Sequence, residues 1–126
     1  MRVQKISVVT PSYNQCEYLP NNLQSIDNQN HDNIEHLILD GGSDDGTIQI
    51  IDDYETSADH DVWWRSNSDD GQSAAINEGF ERASGDIVGW LNSDDVYFDT
   101  TTLSRVVRWF EQTSADVIYG DLAYID

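Results

Sequence analysis

Short apolar runs alternate along this chain with stretches of helical periodicity, and three of those runs lead into acidic clusters: Asp40-Gly41-Gly42-Ser43-Asp44-Asp45-Gly46, Ser68-Asp69-Asp70-Gly71 and Asn92-Ser93-Asp94-Asp95. Ile6-Ser7-Val8-Val9-Thr10 is rich in β-branched residues and reads as a strand ended by Pro11. Leu19, Leu23 and Ile26 recur at helical spacing, with Pro20 tolerable only in the first turn. Ile34 to Leu39 is a second strand, ending at Asp40. Ile48, Ile51 and Tyr54 mark a helix over 47–54, with Asp45-Gly46-Thr47 placed to cap it. Asp61 to Trp64 is a weaker strand. Ile76, Phe80 and Ala83 form the apolar face expected of a helix over 73–84. Gly79 inside it costs about 1 kcal/mol relative to alanine. Asp86 to Leu91 is a fourth strand, Leu103, Val106, Val107 and Phe110 stripe another helix, and Val117-Ile118-Tyr119 is a fifth strand. This order predicts an α/β fold: a mostly parallel sheet with right-handed crossovers and helices on both faces.

The 126 residues suit one domain spanning 1–126, and the chain runs out of its last strand without a closing helix, so a longer protein is expected. A formal charge of −18 disfavours nucleic acid and anionic membrane as general partners. It still permits a phosphate ligand, because a bound divalent cation inverts the local charge. Cys16 is the sole cysteine, so no internal disulfide can form, which is compatible with a reducing compartment. It has no evident catalytic partner. No signal peptide is visible, and no run approaches the roughly 18 apolar residues of a membrane span. The expected location is the cytoplasm, or the inner face of a membrane for a full-length protein. Lys5 is the single lysine and no Gly-Lys-Ser/Thr sequence occurs, which removes a P-loop nucleotide site. His31, His36 and His60 lack metal-ligand spacing and read as structural or surface residues.

In an open α/β sheet, ligands bind outside the carboxyl ends of the strands, where these acidic clusters fall. Carboxylates converging there repel one another unless a cation joins them. Asp94 and Asp95 suit Mg²⁺ or Mn²⁺, which take hard oxygen ligands and substrate phosphates; a turn with helix-capping aspartates is the alternative. Gly41 and Gly42 permit torsions closed to other residues, and Asp40 at the strand end can meet a base or ribose. Asp44 and Asp45 are better placed to stabilise the following helix. At the end of the first strand, Pro11 and Ser12 shape a turn and Tyr13 either stacks on a base or packs as an ordinary turn residue. Asp70 is a candidate for sugar or nucleotide contact. Arg65 either meets a phosphate or pairs with Asp69.

Four segments in order carry a resemblance: Val8 to Asn14, Leu39 to Thr47, Asp69 to Asn77 and Gly85 to Asp95. Together they resemble glycosyltransferase family 2, the inverting nucleotide-sugar transferases with a Rossmann-like GT-A fold. The resemblance implies that Pro11, Ser12 and Tyr13 flank the nucleotide, usually uridine, that Asp40 binds base or ribose, and that Asp70 lies near the nucleotide-sugar. The family's Asp-x-Asp motif falls on Asn92-Ser93-Asp94. Its first position is asparagine, which shifts the metal to Asp94 and Asp95 and leaves Ser93 to the nucleotide. Glu78 stands where many relatives carry lysine.

The function so implied is binding of a nucleoside diphosphate sugar, a UDP-sugar, with Mn²⁺ or Mg²⁺, for inverting hexosyl transfer to an acceptor hydroxyl. The acceptor is a saccharide, lipid or protein. Family members carry their acceptor site and carboxylate base further downstream, so no catalytic base is assigned and this chain alone is expected to transfer little sugar. The alternative is a non-catalytic module that binds a nucleotide-sugar or a partner protein. A phosphoacceptor domain would also use a parallel sheet and clustered carboxylates, but it wants a lysine near the last strand, and Lys5 precedes the first.

Overall fold

A computed structural model describes residues 2–116. Four strands, β1 (Ile6–Ser12), β2 (Ile34–Asp40), β3 (Asp61–Ser66) and β4 (Ile87–Trp90), alternate with four helices, α1 (Leu19–Asp27), α2 (Thr47–Ser57), α3 (Gln72–Arg82) and α4 (Thr102–Gln112). The strands form one parallel sheet in the order β3-β2-β1-β4. The α/β class, the parallel pairing and the alternating order agree with the expectation. The fifth strand expected at Val117-Ile118-Tyr119 lies outside the described residues.

Strand periodicity assigns the two faces of the sheet. Ile6, Val8, Ile34 and Ile87 pack on Ile26 of α1 and Leu103 of α4. Ile38 continues that face onto Leu19 and Leu23 of α1 and Ile51 and Tyr54 of α2. The alternate residues, Val9, Leu37 and Leu39, face the other way and meet Ala75 of α3. Helices therefore cover both faces, three on one and α3 on the other. β1 is buried along its whole length, as a central strand covered on both sides must be.

Two local expectations are revised. Pro11 does not end β1; the strand runs on to Ser12. Even-numbered β1 residues bond β2 (Ile6 N donates to Asn33 O, Ser12 O accepts from Gly41 N), while Val9 O accepts from Leu91 N on the β4 side. The missing N–H of Pro11 would point toward β4 beyond Val9–Trp90, the last pair of that ladder, so no sheet bond is lost. In α3 the buried residues are Ala75 and Gly79, while Phe80 is exposed. A Cβ on Gly79 would overlap Val9 Cγ1 and lie 3.0 Å from Val9 Cγ2 and 3.1 Å from Leu39 Cδ1. The glycine lets α3 sit directly on the sheet, so small residues rather than large ones form the contact.

Polar groups are buried under α2. His36 has no solvent access; its Nε2 lies 2.7 Å from Thr10 Oγ1 and its Nδ1 2.9 Å from Tyr54 Oη, which is 2.6 Å from His60 Nε2. His60 Nδ1 faces Asp27 at 3.5 Å. With His60 Nδ1–H directed at that carboxylate, Tyr54 donates to His60, His36 Nδ1–H donates to Tyr54, and Thr10 donates to His36. All four links are then satisfied with both imidazoles neutral. Burial, with His60 nearby, pushes the His36 pKa down to about 3. Burial also lowers that of His60, against the opposing pull of Asp27, Asp59 and Asp61.

Gly79→Ala is expected to destabilise the fold by about 1–2 kcal/mol, overpacking outweighing the gain in helix propensity; a urea unfolding midpoint equal to or above wild type would contradict this. A histidine whose pKa is lower folded than unfolded favours the unfolded chain once protons bind. The stability held above about pH 6.5 should therefore decline as pH falls toward 3, the folded value for His36. NMR should find the His36 ring neutral at pH 5, and titration of that ring near 6.5 would refute the assignment.

Candidate functional site

All four strands are parallel, so their carboxyl ends form one rim, with Ser12, Asp40, Ser66 and Trp90 at its edge. A cleft of about 570 Å³ opens there. It is lined by Pro11 and Ser12 at the end of β1, Tyr13 and Gln15 after it, Leu39 and Gly41 of β2 and its loop, Ser68, Asp69 and Gly71 before α3, Gln72 and Ala75 of α3, and Asn92, Ser93 and Asp94 after β4. The structure thus brings five of the expected residues together: Pro11, Ser12, Tyr13, Ser93 and Asp94. Asp40, Asp70 and Asp95 are not part of the lining.

Asp40 is turned away by strand parity. Leu39 and Gly41 line the cleft, so Asp40 between them points to the opposite face, where it has no solvent access. Its carboxylate accepts from Gly42 N at 3.1 Å, Ser43 N at 2.8 Å, Ser43 Oγ at 2.6 Å and Ser66 Oγ at 2.7 Å. These four bonds give it a loop-ordering task. They hold the turn in which Gly42, at φ 93°, adopts a left-handed conformation. Ser43 Oγ also accepts from Asn14 N, and Asn14 Oδ1 accepts from Asp44 N, so the loops after β1 and β2 are bolted to each other.

Asp45 serves the scaffold; Asp44 joins it only through its backbone N–H. Asp45 Oδ1 accepts from Thr47 N at 3.1 Å and Thr47 Oγ1 at 2.5 Å, and Oδ2 accepts from Cys16 N at 3.1 Å. These bonds, that from the Thr47 hydroxyl above all, lower its pKa to about 2. The same carboxylate raises the Cys16 pKa, chiefly through a hydrogen bond, which is the reverse of an activated thiol.

In the loop before α3, the cleft is lined by Asp69 rather than its neighbour Asp70, which is exposed. Asp69 Oδ1 accepts from Gly71 N at 3.0 Å, and Oδ2 lies 3.3 Å from Arg65 Nη1. Arg65 therefore pairs with Asp69, one of the two options its position allowed. Tyr13 Cδ1 and Asp69 Oδ1 each lie 3.5 Å from where a Cβ on Gly41 would sit, so the ring and the carboxylate flank that glycine.

The loop after β4 is held from behind. Asn22 of α1, fully buried, donates from Nδ2 to Asn92 O at 2.9 Å and to Asp95 O at 2.8 Å. Gln72 Nε2 donates to Asn92 Oδ1 at 2.6 Å. Asp95 N donates to Asn92 O at 3.0 Å, closing a turn that buries Ser93 and leaves Asp94 exposed. The Asp95 carboxyl is pushed up by partial burial and by the adjacent Asp94. Sequence reading missed Asn22, although it falls within the inward stripe Leu19, Leu23, Ile26, where a polar residue is itself a signal. Among the described residues no group of three or more His, Cys, Asp or Glu converges to hold a metal. Asp94, with Asp95 beside it, fits a hard cation only in company with ligand oxygens, the mode typical of Mg²⁺ at phosphates.

Asp40→Ala strands four donors and should cost on the order of 3 kcal/mol of stability, with Asp40→Asn costing less because one oxygen is retained. Urea denaturation checks this, and an Asp40→Ala protein as stable as wild type would show the carboxylate to be dispensable to the rim.

Comparison with known proteins agrees with this geometry. A family model described as "Glycosyl transferase family 2" matches residues 7–126. A protein of Nostoc sp. described as an uncharacterized glycosyltransferase is 33% identical over 122 residues, covering 97% of this chain and 38% of its own length. The chain spans half or less of the length of the curated relatives it matches. Among solved structures, Staphylococcus aureus TarS 1-349 in complex with UDP-GlcNAc superimposes with a TM-score of 0.77 at 27% identity, over 89% of this chain and 32% of that fragment. The mannosyltransferase PcManGT from Pyrobaculum calidifontis, in complex with GDP-Man and Mn²⁺, gives 0.79 at 26% identity, over 87% of this chain and 33% of that one. The fold is that of the GT-A transferases, and the chain belongs to glycosyl transferase family 2.

Proposed function

We propose that the rim cleft binds the donor of an inverting hexosyl transfer, a nucleoside diphosphate sugar with uridine as its nucleoside, together with Mn²⁺ or Mg²⁺. The observation that carries the reading is the rim cleft itself, walled by Tyr13 after β1 and by Asp94 after β4. Tyr13 is 60% exposed and offers a face on which a base such as uracil can stack.

In this reading Pro11 and Ser12 bound the base, Tyr13 covers it, and Ser93 and Asp94 meet the diphosphate end. Asp69 takes the sugar-side contact first given to Asp70, because it is the one of the pair that lines the cleft. Asp40 acts indirectly, by holding the glycine turn. Asp94 and Asp95 would hold the cation, which offsets the charge of the diphosphate and stabilises it as a leaving group. Without that charge, Asp69 and Asp94 repel a diphosphate, and Arg65 is already spent on carboxylates. The neighbours TarS and PcManGT were solved with nucleotide-sugars, which supports a donor of this class. No described residue is assigned as the base that deprotonates the acceptor hydroxyl.

UDP with Mn²⁺ should bind the purified chain measurably by calorimetry, and chelation by EDTA should abolish the heat. Asp94→Ala should weaken binding by roughly tenfold or more. Equal affinity of wild type and Asp94→Ala would remove Asp94 from the site, and binding indifferent to EDTA would remove the cation.

A further inference from the structure

Arg65 stands at the end of β3, and all of its guanidinium nitrogens are engaged. Nε donates to Glu78 Oε2 at 3.1 Å and Nη2 to Glu78 Oε1 at 2.8 Å, a two-pronged pair with a residue of α3. Nη1 donates to Asp40 O at 2.7 Å, to Asn67 O at 3.4 Å and to Asp69 Oδ2 at 3.3 Å. One side chain thus ties the end of β2, the loop 67–71 and the body of α3. Its side chain is 16% exposed, against 46% for Glu78, so the pair lies along the surface with the guanidinium turned inward. The hydrogen bond from Arg65 holds the Glu78 carboxyl below the usual range.

An exposed ion pair adds little stability. A planar guanidinium gripped on two edges, however, fixes direction, because its donors keep a rigid geometry. With Glu78 on one edge, Nη1 is aimed at the loop. Asp69 then has one oxygen on Arg65 and the other on Gly71 N, which sets its carboxylate at the cleft. Gly71 at φ 106° marks the turn that this carboxylate spans.

We propose that Arg65 and Glu78 form a positioning clamp that orders the loop 67–71 and holds the Asp69 carboxylate in register with the donor. The proposal rests on the donor reading of the cleft for its second half only. The clamp fills the place where the resemblance led to a lysine at position 78: here the cation is supplied from β3 and the acid from α3. Arg65 and Glu78 touch no ligand in this account; they act through Asp69.

Two readouts on the full chain test it: amide hydrogen exchange without ligand, and calorimetry with UDP and Mn²⁺. Glu78→Lys, which places two cations together, should speed exchange at the Asn67 and Gly71 amides roughly fivefold or more, with Val8 and Val9 in β1 unchanged. Glu78→Gln, which keeps one acceptor, should give a smaller change in the same direction. Both should weaken UDP in the same order, and Arg65→Lys should fail to restore either property because an ammonium cannot grip two edges. Unchanged exchange in the loop for Glu78→Lys overturns the clamp. Faster exchange with unchanged UDP affinity overturns its role at the donor. If wild type binds no UDP, the donor reading and the positioning role fail together, while the exchange arm still decides whether the clamp orders the loop.

Discussion

A carboxylate without solvent access sits at the end of β2, and the rim is assembled around it. Asp40 accepts from the Gly42-Ser43 turn and from Ser66 at the end of the neighbouring strand, while its backbone carbonyl accepts from Asn67 N and Arg65. Through Ser43 the loop after β1 is drawn into the same network. A buried anion is tolerable only when every acceptor site is met, and meeting it dictates the shape of three loops at once. The cleft is what remains between those loops on the opposite face.

The floor of the cleft depends on a second constraint, close approach of α3 to the sheet. Ala75 lines the cleft, and Gly79 one turn later rests against Val9 and Leu39. With no side chain at 79, the helix lies low enough for Gln72 at its start to reach Asn92 in the loop after β4. From the other face, Asn22 of α1 grips that loop by its backbone. Asp94 is thus presented by a turn fastened from two helices on opposite sides of the sheet, a firmer mounting than its exposed position suggests.

Electrostatics bear on the proposed site, which sets a negatively charged ligand in a strongly acidic chain. Several carboxylates near the rim are consumed internally: Asp40 by the glycine turn, Asp45 by Thr47 and Cys16, Asp69 in part by Arg65 and Gly71. Asp94 is the cleft-lining acid without such a partner among the described residues. Sequence reading set Asp44 and Asp45 aside for the following helix and kept Asp40, Asp70, Asp94 and Asp95 at the rim. The fold sorts them into scaffold and site by the bonds each one makes.

The sheet, its order of elements and both apolar faces were legible in the sequence because strand and helix periods are properties of the chain itself. The stripes Leu19, Leu23, Ile26 and Leu103, Val106, Val107, Phe110 are buried or half-buried as read. The ordered motifs also located the rim and five of its residues. Which acid of each cluster faces the cleft was another matter. Within Asp69-Asp70, and for Asp40 against Leu39 and Gly41, composition is uninformative and one position of register reverses the answer. The role of Gly79 was likewise hidden, since its reason is the position of Val9 seventy residues away. Sequence alone determined the fold class and the family, because these rest on repeated local patterns. Only tertiary structure decided which carboxylates are buried in the scaffold and which face the cleft, because that choice is made by partners distant in the chain.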